Sequence, residues 1–247
     1  MHQVSPLSES AEKLRTLKQR AAGLLPPQSE WAVHIHRDPL KRLFDIVFSA
    51  SFLLTFSPVF LLISLLIRAT SPGPIFYKSK RLGRGGQIIE CWKFRTMYRD
   101  AEFRLYQLLR CDVTFKKEWD VFQKVKLDPR ITPIGRFLRK TSLDEIPQFW
   151  NVLKGDLSVV GPRPPTLIGS PEHYWREISL LYGANTEIIL SVRPGITGLW
   201  QISGRSQISF AERSQLERSY VESRTFWQDL VLIAKTVPAV LLSKGAF

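Results

Sequence analysis

From Leu43 to Ile67 the chain runs for 25 residues with one charge, Asp45. As a straight helix this run would reach about 37 Å, more than the roughly 30 Å of a bilayer core, so the pattern predicts a membrane segment. Ser57-Pro58 interrupts it. Proline removes a backbone donor and its ring crowds the carbonyl of Leu54, while the Ser57 hydroxyl can bond back to Leu53, so a sharp bend is predicted there. Each half is short for a span, and both flanks are basic: Arg37, Lys41 and Arg42 before, Arg68, Lys78, Lys80 and Arg81 after. Those residues fit two readings, a re-entrant helical hairpin with both ends cytoplasmic and a single span with a proline kink. The run is too long, and too far from the start, for the apolar core of a signal peptide.

The rest of the pattern predicts shorter elements. Residues 1–36 read as a polar extension, in which Leu14, Leu17, Ala21 and Leu24 could line one face of a helix ended by Pro26-Pro27. Ile75–Arg81 and Gln87–Arg95 flank Gly83-Arg84-Gly85-Gly86 and read as a β-hairpin. Its glycines match no phosphate-loop spacing and read as a plain turn. Residues 101–127 are mixed polar and aromatic and read as helical. Phe137 and Leu138 stand among Arg136, Arg139 and Lys140, a pattern that suits a headgroup surface or a solvated helix face. Phe226 to Leu242 is apolar, but Asp229, Lys235 and Pro238 make it a core or interfacial helix rather than a span. The predicted class is α+β, mainly helical, with a small hairpin or sheet and interfacial amphipathic helices.

Charge narrows the partners. Lys and Arg number 35 against 22 Asp and Glu, a net charge of +13, so an anionic partner is expected: nucleic acid, lipid headgroups or a phosphorylated substrate. Arg37 to Arg99 alone holds eleven cations and three acids. Nucleic-acid binding could use Phe76, Tyr77, Trp92 and Phe94 among the hairpin cations, but the apolar run argues against it. A basic membrane-anchored scaffold is a further class, disfavoured because the charged groups described next are all in place. The two cysteines, Cys91 and Cys111, and four scattered histidines supply neither a disulfide framework nor zinc spacing.

The chemistry concentrates in Thr141-Ser142-Leu143-Asp144-Glu145-Ile146-Pro147-Gln148, followed by Gly161-Pro162-Arg163-Pro164. A helix starting near Asp144 would offer unpaired N–H groups and a positive dipole end to a carboxylate and a phosphate. Ser142-x-x-Glu145 fits a capping box equally well. An aspartate beside a phosphoryl group can attack phosphorus once cations offset the repulsion, and Lys93, Arg95, Arg139 and Arg163 are candidates. Pro162 and Pro164 restrict Arg163 as a bidentate phosphate clamp needs. One carboxylate of the pair could hold Mg²⁺ shared with a pyrophosphate.

Six spaced motifs carry a resemblance: Lys41-Arg42-x-Phe44-Asp45, Ser57-Pro58, Lys93-Phe94-Arg95-Thr96-Met97, Arg139-x-x-Ser142-Leu143-Asp144-Glu145-x-Pro147-Gln148, Gly161-Pro162-Arg163-Pro164 and Arg193-Pro194-Gly195-Ile196-Thr197-Gly198. Over residues 37–247 the chain resembles the bacterial sugar transferase family, the monotopic polyprenyl-phosphate hexose-1-phosphate transferases, in its short form. The resemblance implies an enzyme of the bacterial cytoplasmic membrane, its site facing the cytoplasm. It would pass a sugar phosphate from a UDP-sugar to undecaprenyl phosphate and release UMP, in the first membrane step of exopolysaccharide or O-antigen assembly. It implies Asp144 as nucleophile and Glu145 as a Mg²⁺ ligand. Lys93, Arg139 and Arg163 would line the phosphate site, joined by Arg95 and Arg205. It also makes the helix over 43–67 re-entrant at Ser57 and Pro58, among membrane lipids. The stretch Gly198-Leu199-Trp200-Gln201-Ile202-Ser203-Gly204-Arg205 and the ending Lys244 to Phe247 look most like members that transfer galactose 1-phosphate. Glucose or an N-acetylated sugar is the alternative, and a homodimer stays open. Glu217 departs from the family, standing where aspartate is usual.

Overall fold

The computed structural model describes residues 38–122, 125, 127–166, 178, 182–204 and 208–241. The expected N-terminal helix over Leu14 to Leu24, Arg205 and the ending from Lys244 lie outside them. Helix α1 (Pro39–Thr55) starts where Asp38 caps the Lys41 N–H and Pro39 supplies a preset first turn. Helix α2 (Ser57–Thr70) follows with a bend of 61°. Among the described residues no single helix is long and apolar enough to cross a membrane, and only this bent pair passes that test together. The sequence expectation of a break at Ser57-Pro58 holds, with one correction. Ser57 Oγ donates to the Leu54 carbonyl at 2.8 Å rather than to Leu53. That carbonyl is the one Pro58, lacking an N–H, cannot serve.

The pair is apolar on its outer face, and α1 also buries polar groups on its inner one. Its α1 face toward the protein buries Asp45 (1% exposed) and Ser49 (0%), whereas Leu40 and Leu54 are each 78% exposed and α2 exposes Leu62 and Leu65. An outer leucine surface of this extent marks an interaction with lipid or another apolar partner.

Three polar residues fasten α1 to the rest. Lys41 pairs with Asp229, Arg42 donates to the Val152 and Leu153 carbonyls at 2.6 and 2.8 Å, and Asp45 accepts from Ser158 Oγ and the Val159 N–H, both at 3.0 Å. Phe52 adds ring stacking on Phe149 at 4.1 Å.

Strands β1 (Phe76–Leu82) and β2 (Ile88–Phe94) form the expected antiparallel hairpin, Phe76 opposite Phe94. Helices α3 (Ala101–Cys111) and α4 (Val113–Phe122) come next. Helix α5 (Pro133–Lys140), capped by Thr132, packs Gly135 onto the Thr96 carbonyl so closely that a Cβ would lie 2.0 Å from that oxygen. After a 3₁₀ turn, Leu143–Glu145, helix α6 (Gln148–Lys154) ends at left-handed Gly155 (φ 93°), and Arg42 takes its last carbonyls. Buried Asn151 on α6 binds the β2 backbone, accepting from Trp92 N–H at 2.8 Å and donating to the Glu90 carbonyl at 2.7 Å.

Strand β3 (Ser158–Val160) pairs in parallel with β4 (Gly195–Thr197). Between them in sequence comes α7 (Thr186–Leu190), and after β4 come α8 (Leu199–Ile202), α9 (Phe210–Ser223) and α10 (Phe226–Leu241). The described residues are thus mainly helical, with two small two-stranded sheets. One core joins Phe149, Val152, Val160, Tyr220 and Leu232 beneath α1; a second joins Ile63, Ile67, Phe94, Leu138 and Ile146 beneath α2. The carboxylate turn sits between these cores. Helix α10 meets its expectation as a packed rather than spanning helix: Asp229 is buried and accepts from Tyr220 Oη at 2.7 Å, while Trp227 at the same end is 75% exposed.

Candidate active site

The carboxylates do not sit at the helix start that the sequence pattern predicts. Helix α6 begins at Gln148 after a Pro147 cap, so Asp144 and Glu145 lie in the preceding 3₁₀ turn and Asp144 is no cap. The capping box is absent as well. Ser142 makes no side-chain cap and adopts the left-handed conformation, φ 56°, which costs a non-glycine residue about 1–2 kcal/mol. Its N–H reaches the Arg139 carbonyl at 3.2 Å, closing α5. The chain therefore reverses at Ser142 and aims both carboxylates at the hairpin.

Glu145 is fixed by two cations. Lys93 Nζ from β2 donates to its Oε1 at 2.6 Å, and the Arg163 guanidinium binds both oxygens, at 2.6 and 3.0 Å. Burial pushes the Glu145 carboxyl up, but Arg163 and Lys93 together outweigh it and hold it well below the usual carboxylate range. Asp144 differs. It is buried, and its one ion pair among the described residues is a looser approach to Lys93 at 3.5 Å. Burial pushes its pKa above the usual range, with Lys93 and Arg139 pulling the other way. Adjacent carboxylates are thereby divided into one that is locked by two cations and one that is, among the described residues, only loosely paired.

Arg139, at the end of α5, points its Nε to Thr96 Oγ1 at 2.9 Å and lies in the field of Asp144. The sequence set of Lys93, Arg139, Arg163, Asp144 and Glu145 is thus brought together. Arg95 is not. Its guanidinium donates to the Ser71 and Pro72 carbonyls at 2.5 and 2.9 Å, tying the end of α2 to β2, and it pairs with neither carboxylate among the described residues. Side chains alternate along a strand, so Lys93 and Arg95 share a face, but β2 ends at Phe94 and Arg95 turns toward the α2 loop.

The Pro162-Arg163-Pro164 segment is held from outside the motif. Arg81 at the end of β1 donates to the Pro164 carbonyl at 2.8 Å. Gly161 stacks on Gly195 across β3 and β4, where a Cβ on Gly195 would lie 2.0 Å from the Gly161 nitrogen. Sequence reading missed Thr96, Tyr182, Trp200 and Arg213 around the site. Thr96 and Trp200 stood inside motifs read from the sequence but were given no role there; Arg213 and Glu217, four apart on α9, are ion-paired at 3.0 Å, and for Arg213 that spacing was the available signal.

Among the described residues no three His, Cys, Asp or Glu side chains converge as a metal cage. Mg²⁺ does not require one, because it is commonly held by one or two carboxylates with substrate phosphates and water. Glu145 accepts three N–H bonds, which leaves about one of a carboxylate's four acceptor positions. The donor set fits a substrate-borne Mg²⁺.

The acid side of the pH profile should report Asp144. Protonation on acidification reaches Asp144 first, while Glu145 stays ionised and keeps its pairs until pH falls through its depressed value. Lys93→Met removes the nearest cation that lowers the Asp144 pKa. The acid limb of kcat/KM should therefore move to higher pH; an unmoved limb would reject Asp144 as its origin.

A loosely paired aspartate set beside a locked glutamate, close to guanidinium groups, is an arrangement that phosphoryl-group transfer can use. The sequence comparisons agree: the chain belongs to the bacterial sugar transferase family, whose model matches residues 36–243. It is 40% identical over 221 residues to the exopolysaccharide production protein ExoY of Rhizobium meliloti, covering 90% of this chain and 94% of that protein. It is 43% identical over 209 residues to the undecaprenyl-phosphate galactose phosphotransferase of Salmonella typhimurium, covering 84% of this chain and 42% of that one. With the UDP-glucose:undecaprenyl-phosphate glucose-1-phosphate transferase of Escherichia coli the identity is 35% over 213 residues, 84% and 41% of the two chains.

Proposed function

We propose that this chain moves hexose 1-phosphate, galactose 1-phosphate in the first instance, from a UDP-sugar to undecaprenyl phosphate in exopolysaccharide assembly. The observation that carries this reading is the asymmetry of the pair, Glu145 locked by Lys93 and Arg163 and Asp144 paired, among the described residues, only loosely with Lys93. An Asp144 oxygen attacks the sugar-bearing phosphorus, a new P–O bond forms, and the bond to UMP breaks. Arg163, Lys93 and Arg139 offset the charge of the diphosphate. The phosphate oxygen of the acceptor then attacks the same phosphorus and frees the Asp144 carboxylate. Glu145, with its remaining acceptor position, would hold Mg²⁺ against the diphosphate, where the ion supplies charge neutralisation. Galactose is favoured because the galactose-phosphotransferase relative is the more similar of the two sugar-named relatives given above.

The bent pair supports membrane attachment. With basic residues at both ends and leucines outside, α1 and α2 would enter the cytoplasmic leaflet and return, placing the site at headgroup level. A chamber of about 440 Å³ between them and the hairpin is lined by Leu53, Phe60, Leu61, Phe76, Trp92 and Trp150. Its wall at Pro147 and Trp150 continues directly from the carboxylate turn. It suits the first isoprene units of an acceptor whose phosphate is at Asp144.

The test varies both substrates at fixed Mg²⁺. Parallel double-reciprocal lines with UDP-galactose and undecaprenyl phosphate support a covalent relay; intersecting lines would mean direct transfer. Leu61→Trp, which fills the chamber, should raise the acceptor KM by about tenfold or more, the penalty expected when a bulky ring displaces apolar contact, and leave the donor KM unchanged. An unaltered acceptor KM removes the chamber from this reading.

A further inference from the structure

Arg163 is gripped at its backbone as well as at its guanidinium. Its N–H donates to Glu217 Oε1 at 3.2 Å, and its carbonyl accepts from Arg213 Nη2 at 2.8 Å and from Tyr182 Oη at 3.2 Å. Glu217 is buried, and Arg213 Nε closes the ring by donating to the same Oε1 at 3.0 Å. The Arg213 guanidinium also lies over the Trp200 ring, 4.6 Å from its centroid, with that of Arg163 at 5.9 Å.

None of these groups reaches Asp144 or Glu145 by an ion pair among the described residues, so they do not act on the reacting atoms directly. Pro162 and Pro164 already fix the flanking φ angles. What they leave free is rotation of the Arg163 peptide groups; Gly195 N–H holds the Pro162 carbonyl at 2.8 Å, and α9 holds the Arg163 N–H and carbonyl. A guanidinium meeting Glu145 on two parallel bonds tolerates little displacement.

We propose that Arg213 and Glu217 form a positioning brace that sets the reach of the Arg163 guanidinium, so that α9, fifty residues from the Gly161-Pro162-Arg163-Pro164 motif, decides whether Glu145 is held clear of Asp144. Glu217 serves this end with its longer arm. Its Oε1 spans from α9 to both the Arg163 N–H and Arg213, and an aspartate from the same backbone would reach about 1.5 Å less. The role in catalysis rests on the transfer reaction proposed above; the brace itself does not.

The test has two independent arms in the full chain, in detergent. The first measures the coupling between Arg163→Ala and Glu145→Ala as the non-additive part of their shifts in apparent melting temperature, with Arg213 present and again with Arg213→Ala. The brace predicts that at least half of the coupling disappears when Arg213 is removed; an unchanged coupling overturns it, whatever the protein catalyses. The second arm measures transfer from UDP-galactose. Arg213→Ala should lower kcat by about ten- to a hundredfold with donor KM within about threefold, the size expected from a displacement near 1 Å. Adding it to Arg163→Ala should cost no more than about threefold further, and Arg213→Lys, which keeps the charge on Glu217, should recover part of the loss. Additive losses in the double variant also overturn the brace. Wild-type protein without transfer would fail the proposed function, and the melting arm would still decide the brace.

Discussion

Intact-mass measurement of the protein mixed with Mg²⁺ and UDP-galactose, with no lipid acceptor, should show a gain of one hexose phosphate, and Asp144→Asn should show none. Asparagine keeps the shape of the side chain in its buried turn and loses one negative charge beside Lys93, Arg139 and Glu145. The fold should tolerate this, since Asp144 already bears the cost of burial with only one loose ion pair. The chemistry should not. An amide is too weak a nucleophile to displace UMP, so turnover should fall by at least about 10⁴-fold, toward the residual rate that binding alone supports. An adduct on the asparagine variant would assign the nucleophile elsewhere. With UDP-glucose as the productive donor the mechanism would stand and the sugar would change.

Gly195→Ala should have the largest effect on the fold. A methyl group there would lie 2.0 Å from the Gly161 nitrogen and 2.5 Å from the Thr197 carbonyl oxygen. Both are backbone atoms and cannot swing aside. Relief requires β3 and β4 to part, which breaks the bonds from Gly161 N–H to Thr197 and from Gly195 N–H to Pro162, at 2.9 and 2.8 Å. Overpacking costs about 1–3 kcal/mol and each lost bond about 1 kcal/mol, so a loss of about 3–5 kcal/mol is expected, a large share of an ordinary domain's stability. Arg163 lies two residues past Gly161, and transfer should disappear with it. An unchanged melting temperature would show that the two strands separate more freely than their spacing indicates.

These two cases differ in what the sequence disclosed. The break at Ser57-Pro58, the hairpin, and the grouping of Asp144, Glu145, Lys93, Arg139 and Arg163 were legible because each rests on local chemistry or on a spaced motif. The left-handed turn at Ser142 was not, since serine carries no mark of it and the conformation is imposed by the close of α5 on one side and the cations on the other. Arg95 misled for the same reason. Its composition was that of a phosphate ligand, but the loop after α2 presents two carbonyls to it, and a strand pattern cannot see a loop from elsewhere in the chain. The grip of α9 on Arg163 and the contact of Gly161 with Gly195 arise from tertiary approach between segments more than thirty residues apart.

If the bent pair enters the membrane as proposed, the three polar fasteners on α1 make it a ruler. Lys41, Arg42 and Asp45 hold its first turns to α10, α6 and β3, the framework that carries the carboxylates. From Asp45 to the end of α1 at Thr55 there are ten helical steps, about 15 Å. In the proposed setting that length fixes how far the reacting carboxylate stands above the deepest point of the insert. One added helical turn between them would lift the active site about 5 Å away from the acceptor headgroup, without altering a single residue that touches substrate.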